Sequence, residues 1–222
     1  MKCLLIICLY ATSITAASQD CKTYLFLQNN KTIEMTIYNK KGDASGKQVY
    51  TVSDYKTSGG ISSATVNTEM FDKKGKSIIK SVNSVQCKGG VMMMDMKMNI
   101  PQGQQFSNTD AKVQDVYLEY PANMSVGDAL KDGHMQLETD SKGMKQSLTM
   151  DITNRKVEGK ESVSTTAGTW DCYKITSSSK TKISTMGIGI PINMDVTEWY
   201  APGVGVIKTE SKGGGTAITA IN

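Results

Sequence analysis

The chain is poor in the residues on which most enzymes and metal sites rely. Its 222 residues include one histidine, three phenylalanines and two tryptophans. The single histidine, His134, follows an expected turn, and no Gly-x-Ser-x-Gly motif accompanies it, so a nucleophile–histidine–acid triad has little support. The segment "SKGGGTA" lacks the lysine-serine ending and the strand-to-helix setting of a phosphate loop. We therefore expect a protein that is not an enzyme and that needs no cofactor.

The chain also lacks a strong charge of one sign. Lysine and arginine together number 25, aspartate and glutamate 21, and the formal net charge is +4. The lysines occur in turn-like segments such as "FDKKGK" and "DSKGMK" rather than along one face, whereas nucleic-acid binders concentrate their basic residues on a face. A nucleic-acid partner is therefore not expected.

Long apolar runs are confined to the N-terminus. Lys2 supplies a positive start, residues 4–14 are apolar, and small residues follow. This arrangement predicts a secretory signal peptide over residues 1–18, cleaved near Ala17 or Ser18. No later segment is long and apolar enough for a membrane-spanning helix. The mature protein is thus expected to be periplasmic or secreted.

Cysteine is scarce once the signal peptide is removed, leaving Cys21, Cys87 and Cys172. An exported protein meets an oxidising compartment, so one disulfide and one free thiol are expected. We favour Cys21 with Cys87, because both flank strands and their loop would add about 4 kcal/mol in the chain-entropy model. Cys172 has the character of a small buried apolar residue within a strand. The other pairings stay open.

Strand signals are abundant. The segment "TIEMTIYNKKGDASGKQVYTV" alternates apolar and polar residues around the turn "NKKGD", which indicates a hairpin. The pattern recurs along the chain and is interrupted only after Pro101, where short helices could form near 110–116 and 126–131. No segment keeps a 3.6-residue period. We therefore predict an all-β fold in which residues 19–222 form a single domain, one curved antiparallel sheet of about ten to twelve strands with little helix.

Methionine is concentrated in the run "GGVMMMDMKMNI", residues 89–100. Alternate residues of a strand point to the same side, so the run predicts an amphipathic strand with one methionine face. Asp95 and Lys97 lie on the other face and are expected to meet water. The buried set is Met92, Met94, Met96, Met98 and Ile100.

Other expected strands add methionine to what could be the same surface. The row Ile190, Ile192, Met194 and Val196 shares one face, for example. Three interpretations stay open: packed core, since methionine fills irregular gaps; a deformable apolar cavity or groove; and a Cu(I) site of thioether ligands, the least favoured. The candidate lining is Met35, Met92, Met94, Met96, Met98, Met150 and Met194.

Several segments resemble a family of secreted, mostly Gram-negative bacterial proteins of unknown function, also called TapB-like. The clearest are "NRKVEGKESVSTTAGTWDCYKITSS" and "EWYAPGVGVIKTES"; the opening "CKTYLFLQNNKTIEMTIYNKKGDASGKQVYTV" and the central "SVGDALKDG" agree with them. The resemblance covers nearly the whole mature chain but departs in "YLFLQNN", where a Pro and a Gly usually precede the strand. It implies a half-barrel or open barrel, similar to lipoprotein-carrier folds, around an apolar interior, and it supplies no catalytic residues.

These observations lead to the hypothesis of an exported, non-enzymatic protein, expected to be a monomer, that binds a lipid or another apolar ligand on a methionine-lined concave face. The alternative is a structural or interaction module of the cell envelope, whose partner is an envelope protein and whose methionines are packed core. A hydrolase with a pair of carboxylates ranks third. An environment-sensitive apolar dye separates the first two, because it binds only an open groove.

Overall fold

The structure, a computed structural model, describes residues 21–99, 117–141, 144–186 and 188–222, so the expected signal peptide lies outside it. Twelve strands dominate these residues. The strands are β1 (Thr32–Asn39), β2 (Ala44–Ser58), β3 (Ile61–Asp72), β4 (Ser77–Lys88), β5 (Val91–Asp95), β6 (Tyr117–Tyr120), β7 (Gly133–Ser141), β8 (Met144–Thr165), β9 (Gly168–Thr185), β10 (Ile188–Ala201), β11 (Gly205–Ser211) and β12 (Gly214–Ile221). Three short 3-10 helices accompany them: η1 (Cys21–Thr23), η2 (Leu25–Leu27) and η3 (Met96–Asn99).

All twelve strands belong to one antiparallel sheet, in the order β6-β5-β4-β3-β2-β1-β12-β11-β10-β9-β8-β7. The sheet consists of two meanders, β1–β6 and β7–β12, which join where β1 pairs with β12. Strands β6 and β7 are left at the two edges, and the sheet curls into a nearly closed barrel with one open seam between them. The prediction of a curved antiparallel sheet with ten to twelve strands is confirmed.

Two of the hairpin turns form as their sequences indicate. In the β1–β2 turn, Asn39 Oδ1 accepts hydrogen bonds from two backbone N–H groups at 2.8 and 3.1 Å. In the β3–β4 turn, Asp72 Oδ1 accepts two more at 2.8 and 2.9 Å. Gly42 and Gly75 adopt φ values of 83° and 80°, a left-handed conformation that glycine reaches without steric cost. These side-chain-capped turns fix the register of both hairpins.

One end of the barrel, here called the closed end, is covered by η1 and η2. The hydroxyl of Tyr24 donates a hydrogen bond to the carbonyl oxygen of Gly90 at 3.2 Å, and the N–H of Leu25 donates to that of Gly203 at 2.8 Å. These contacts tie η2 to the β4–β5 turn and to the β10–β11 turn. Phe26 packs edge to face on Tyr50, with ring centroids 5.6 Å apart. The short N-terminal segment thus acts as a plug.

At the other end, here called the open end, the β9–β10 hairpin extends past β11, while β8 stays paired with β9. The β10–β11 ladder stops at the pair Val196–Ser211, whereas β10 continues back to Ile188 and pairs there with β9 alone. At about 3.4 Å per residue, this extension adds about 27 Å of strand. Pro191 lies within this extension. Strand β10 is an edge strand there because β11 has ended, and an edge strand tolerates a residue without an N–H donor.

The methionine run does not remain a strand throughout its length. Strand β5 ends at Asp95, whose Oδ1 accepts a hydrogen bond from the N–H of Lys97 at 2.9 Å, as an N-cap does for the helical turn that follows. Asp95 is only 3% exposed, and Lys97 Nζ lies 3.1 Å from its Oδ2. The expectation that Asp95 faces water was therefore wrong. The expectation that the strand continues to Ile100 was also wrong as far as Asn99, because the chain enters a helical turn after Asp95. Ile100 itself lies outside the described residues.

The segment between the two meanders was expected to contain short helices, and its described part contains none. Residues 126–131 form no helix; Val126 and Gly127 lie in a turn, and Ala129 then bridges Lys156 of β8. The N–H of Leu130 donates to the carbonyl of Arg155 at 2.8 Å. The other candidate helix, 110–116, lies outside the described residues. Backbone bonds to β8 thus override a weak local helix signal.

Candidate functional site

The concave face of the sheet encloses a cavity of about 410 Å³. Methionine is its most frequent apolar lining residue. Other large apolar side chains complete the lining, including Tyr50, Leu118 and Phe26 of the plug. The lining methionines are Met35, Met70, Met94, Met98, Met150 and Met194.

The structure brings most of the predicted lining residues together. Met35, Met94, Met98, Met150 and Met194 all border the cavity. Met92 and Met96 do not, and both side chains are completely buried in packed core. A Cβ placed on Gly133 would come within 2.7 Å of Met96 Sδ, so this methionine fills the seam between β6 and β7. Met96 leaves the row because β5 ends at Asp95, after which alternation no longer decides the direction of the side chains. Met92 lies within β5 and is buried where it pairs with Cys87 and Tyr120.

Met70 is a lining residue that the sequence analysis missed. It follows Ala64, Val66 and Thr68 at intervals of two along β3, and these side chains are buried on the concave side. The alternation in "SSATVNTEM" is therefore the signal that could have found it.

The two meanders contribute different chemistry to the cavity. The lining from β1–β6 is apolar or aromatic except for Gln48. In the second meander, β9 presents a row of hydroxyls, and β11 and β12 add more. The apolar residues of β8 and β10 flank the β9 row on both sides, because Thr181 is paired with Met150 and with Ile192. The hydroxyl residues of the lining are Ser177, Ser179, Thr181, Thr209, Ser211 and Thr216.

A buried ionic cluster lies towards the closed end of the cavity. Tyr120 donates its hydroxyl proton to the carboxylate of Glu198, with oxygen–oxygen distances of 3.0 and 3.2 Å. The guanidinium of Arg155 lies 4.7 Å from the centre of the Tyr120 ring, and its Nη2 is 3.6 Å from Glu198 Oε1. Tyr200 stacks on the other side, with ring centroids 4.5 Å apart. Glu198 and Tyr120 line the cavity, and Arg155 stands behind them.

Arg155 also holds the seam. Its Nη1 donates to the backbone carbonyl of Glu119 on β6 at 3.1 Å and to that of Lys131, just before β7, at 2.9 Å. One side chain of β8 therefore joins the two edges of the sheet where no ladder of backbone hydrogen bonds joins them. Arg155 is 1% exposed, and its Nε has no hydrogen-bond partner among the described residues.

A bulge in β8 turns Arg155 inward. Leu148, Met150 and Ile152 face the interior, and strict alternation would place residue 154 there next. The register with β9 shifts between Thr153 and Lys156, and Asn154 has a φ of 55°. A bulge inserts one residue and exchanges the faces beyond it, and asparagine tolerates positive φ better than most residues. Asn154, directly before Arg155 in the sequence "TNR", was the available signal, because asparagine favours the positive φ of a bulge.

Burial controls the protonation of this cluster. Burial raises the pKa of Glu198 above its ordinary value, and the nearby charge of Arg155 with the hydrogen bond from Tyr120 offsets part of the rise. Burial likewise raises the pKa of Tyr120 well above 10.0, as does the charge of Glu198. Tyr120 thus remains a hydrogen-bond donor at all ordinary pH values.

The apolar row of β10 continues from the cavity onto the surface. Met194 and Val196 line the cavity, and Ile192, Ile190 and Ile188 follow at intervals of two towards the open end. The predicted common face of this row agrees with the pairing to β9. Ile190, however, is 80% exposed, so the row leaves the buried interior before it reaches this residue. Glu198 is the next residue of the same row towards the closed end. An acidic residue within an otherwise apolar row was the sequence signal for the buried polar cluster.

The remaining candidates fall outside the cavity. The structure joins Cys21 to Cys87 in a disulfide, with their Cα atoms 5.7 Å apart, and this bond anchors η1 to β4. Cys172 is a free, buried thiol whose pKa burial raises to about 11. His134 is exposed and lies 2.6 Å from an oxygen of Asp151.

Two further features are absent from the described residues. None of their histidine, cysteine, aspartate and glutamate side chains group in threes as metal ligands would. The described part of the chain also contains no helix with the length and apolarity needed to span a membrane.

Residues 28–217 match the family model described as DUF3108-like. The chain belongs to the DUF3108-like family. The match covers both meanders, and the expected resemblance to a bacterial family of unknown function is confirmed, with this description in place of the TapB-like one. No curated protein matches the chain.

Two crystal structures share the fold of this DUF3108-like chain. One, from Bacteroides fragilis, is described as a candidate exported protein with a YmcC-like fold; it is 22% identical, with a TM-score of 0.71, and the alignment covers 88% of this chain and 96% of that one. The other, from Parabacteroides distasonis, is described as a candidate lipoprotein; it is 21% identical, with a TM-score of 0.75, covering 92% and 100%. At these identities the likeness establishes the fold alone.

Proposed function

We propose that this protein is an exported, non-enzymatic component of the cell envelope that holds an apolar, lipid-like ligand in its methionine-lined cavity. The observation that carries the proposal is the cavity itself. Its volume of about 410 Å³ falls within the roughly 300–1,000 Å³ that small-molecule sites occupy. Six methionines border it, and their unbranched, polarizable side chains adapt to apolar ligands of varied shape.

Export is supported by three observations of different kinds. The N-terminal segment has the pattern of a signal peptide. The Cys21–Cys87 disulfide suits an oxidising compartment. The two structural neighbours are described as a candidate exported protein and a candidate lipoprotein.

The driving force for binding would be the removal of apolar surface from water. This contributes roughly 25 cal/mol for each Å² that the ligand and the cavity bury, and the cost of ordering the ligand reduces it. No bond needs to form or break, so binding and release can be reversible. The ligand would contact the methionines of β1, β3 and β5 in the first meander, and Met150 of β8 and Met194 of β10 in the second.

A structural or interaction module of the envelope is the second candidate function. It is favoured by Met92 and Met96, which belong to the same methionine run and yet are fully packed in the core. On this view the remaining methionines also serve mainly to fill space, and the partner is an envelope protein.

Titration with Nile red, a neutral apolar dye whose fluorescence rises in apolar surroundings, tests the proposal. The native protein should bind the dye with saturation. Met194→Asp should weaken binding more than tenfold, because it places a carboxylate in the apolar wall of the cavity. Met186→Asp is the matched control: Met186 lies at the tip of the same hairpin, is 72% exposed and does not line the cavity.

Circular dichroism and thermal unfolding should show that both variants keep the native fold. Saturable binding that Met194→Asp weakens and Met186→Asp preserves supports a ligand cavity. If the native protein does not bind the dye, or if the folded Met194→Asp variant binds it unchanged, the cavity proposal fails and the interaction module is preferred.

A further inference from the structure

The hydroxyl row of β9, formed by Ser177, Ser179 and Thr181, is not explained by a purely apolar ligand. These three side chains line the cavity between the apolar rows of β8 and β10. Neighbouring strands lie about 4.8 Å apart, so Ser179 and Thr181 are each within one strand spacing of a large apolar side chain on either side, and Ser177 is so placed beside Val196 of β10. A ligand resting on these rows would have to cover the hydroxyls as well.

Thr181 provides an independent indication that something polar binds there. Its residue is 1% exposed, and its Oγ1 is buried without a hydrogen-bond partner among the described residues. A buried hydroxyl without a partner costs about 1–3 kcal/mol, and such groups are uncommon in folded proteins. Because Thr181 borders the cavity, a ligand atom is the natural partner for this proton.

The charges around the cavity limit the chemistry of that partner. Two carboxylates, Glu198 and Glu210, are among the described lining residues, and these residues include no lysine or arginine. Arg155 is directed to the seam carbonyls and to Glu198. A carboxylate or phosphate in the cavity would meet charges of its own sign without a compensating cation.

We propose that the row Ser177, Ser179 and Thr181 is a hydrogen-bonding subsite for the polar group of a neutral amphiphile, an acyl ester or acyl amide, whose chain lies on the methionines. The hydroxyl of Thr181 donates to the carbonyl oxygen of that group. This inference rests on the proposed function, and it excludes free fatty acids and simple hydrocarbons as preferred ligands.

Displacement of Nile red from the full-length mature protein at neutral pH tests the ligand class. Three competitors share a twelve-carbon chain: 1-monolauroylglycerol, laurate and dodecane, the last delivered in cyclodextrin. The neutral ester should displace the dye at the lowest concentration. A preference for laurate, or equal displacement by ester and hydrocarbon, would overturn the subsite.

Thr181→Val tests the residue, because valine keeps the shape and removes the hydroxyl. We expect monolauroylglycerol to bind about three- to tenfold more weakly, the value of one hydrogen bond, and dodecane to bind unchanged. The melting temperature should not fall, because the lost hydroxyl has no partner in the protein. Thr181→Ser should restore ester binding. The matched control is Thr149→Val, one register step away on the opposite face of the sheet.

The outcomes distinguish failure of the hydroxyl subsite from failure of the ligand cavity. If Nile red binds and Met194→Asp weakens it, but Thr181→Val leaves ester binding unchanged, the subsite is wrong and the apolar cavity stands. If the native protein binds neither the dye nor the ester, both proposals fail.

Discussion

The two ends of the barrel differ in how their side chains are used. At the closed end, a disulfide, the plug of η1 and η2, and the Arg155 cluster bring large polar and aromatic groups out of water. At the open end, Ile188 and Ile190 of the extended hairpin are exposed on the same strand that lines the cavity. The comparison shows that the disulfide, the plug and the buried ionic cluster are all concentrated at one end of the barrel.

The difference arises from how the sheet closes. Strands β1 and β12 join the two meanders by a ladder of backbone hydrogen bonds. Strands β6 and β7 have no such ladder, and Arg155, the packing of Met96 and the segment beside β8 close the seam instead. Closure by side chains is weaker than closure by a ladder, and the disulfide at this end adds a covalent link between η1 and β4 rather than across the seam.

Removal of the disulfide should have the largest effect. The double substitution Cys21→Ser and Cys87→Ser frees a loop that spans 66 residues and should lower the free energy of unfolding by about 4 kcal/mol in the chain-entropy model. Urea unfolding followed by circular dichroism measures it. The free Cys172 is the control, because Cys172→Ala removes a thiol without opening a loop. An unchanged urea midpoint for the double variant would show that the closed end does not need its covalent tie.

Arg155→Met should have the next largest effect, about 3 kcal/mol in the free energy of unfolding. The substitution keeps the length of the side chain but leaves two backbone carbonyls and Glu198 without the cation, and breaking a buried pair costs about 3–5 kcal/mol. We expect the lower end of that range, because Glu198 can take up a proton when its partner is gone.

The pH dependence checks this explanation. Burial already raises the pKa of Glu198, and the loss of Arg155 should raise it further. A carboxyl with a raised pKa in the folded state stabilises the fold below its unfolded pKa and loses that contribution as pH rises through the folded pKa. The deficit of Arg155→Met should therefore grow from acidic towards neutral pH, and adding Glu198→Gln should flatten it. A deficit independent of pH would mean that only the seam hydrogen bonds matter.

Ile190→Ser, at the open end, should have the smallest effect on stability. Ile190 is 80% exposed, so the free energy of unfolding should change by no more than about 0.5 kcal/mol. Nile red affinity should fall by less than threefold, because this side chain lies beyond the cavity. Val82→Ser, at another exposed position, is the control. Destabilisation comparable to that of Arg155→Met would contradict the division between the two ends.

Alternation and turn chemistry were sufficient to predict the sheet. Segments such as "TIEMTIYNKKGDASGKQVYTV" carry both the period of two and the turn-forming Asn39, and these local signals agree with the final pairing. Four of the seven candidate lining methionines reach the cavity for the same reason, and Met98 reaches it from the helical turn η3.

The exceptions occur where the period of two is interrupted. Asp95 caps a helical turn and removes Met96 from the row, and Asn154 forms a bulge that exchanges the two faces of β8. Each event depends on a contact made by one side chain or on one positive φ angle, and hydropathy alone does not report it. Arg155 was missed as an interior residue because of the bulge. The pairing of β1 with β12 connects distant parts of the chain, and no local pattern specifies it.

Native mass spectrometry of the exported protein, purified without detergent, is the decisive experiment for the ligand cavity. We predict a bound mass of several hundred daltons on the mature chain, reduced in the Met194→Asp variant and retained in Met186→Asp. The same spectrum reports the mature N-terminus and the disulfide. A bare polypeptide in every charge state would contradict the ligand cavity and would identify the methionines as packing for an interaction module.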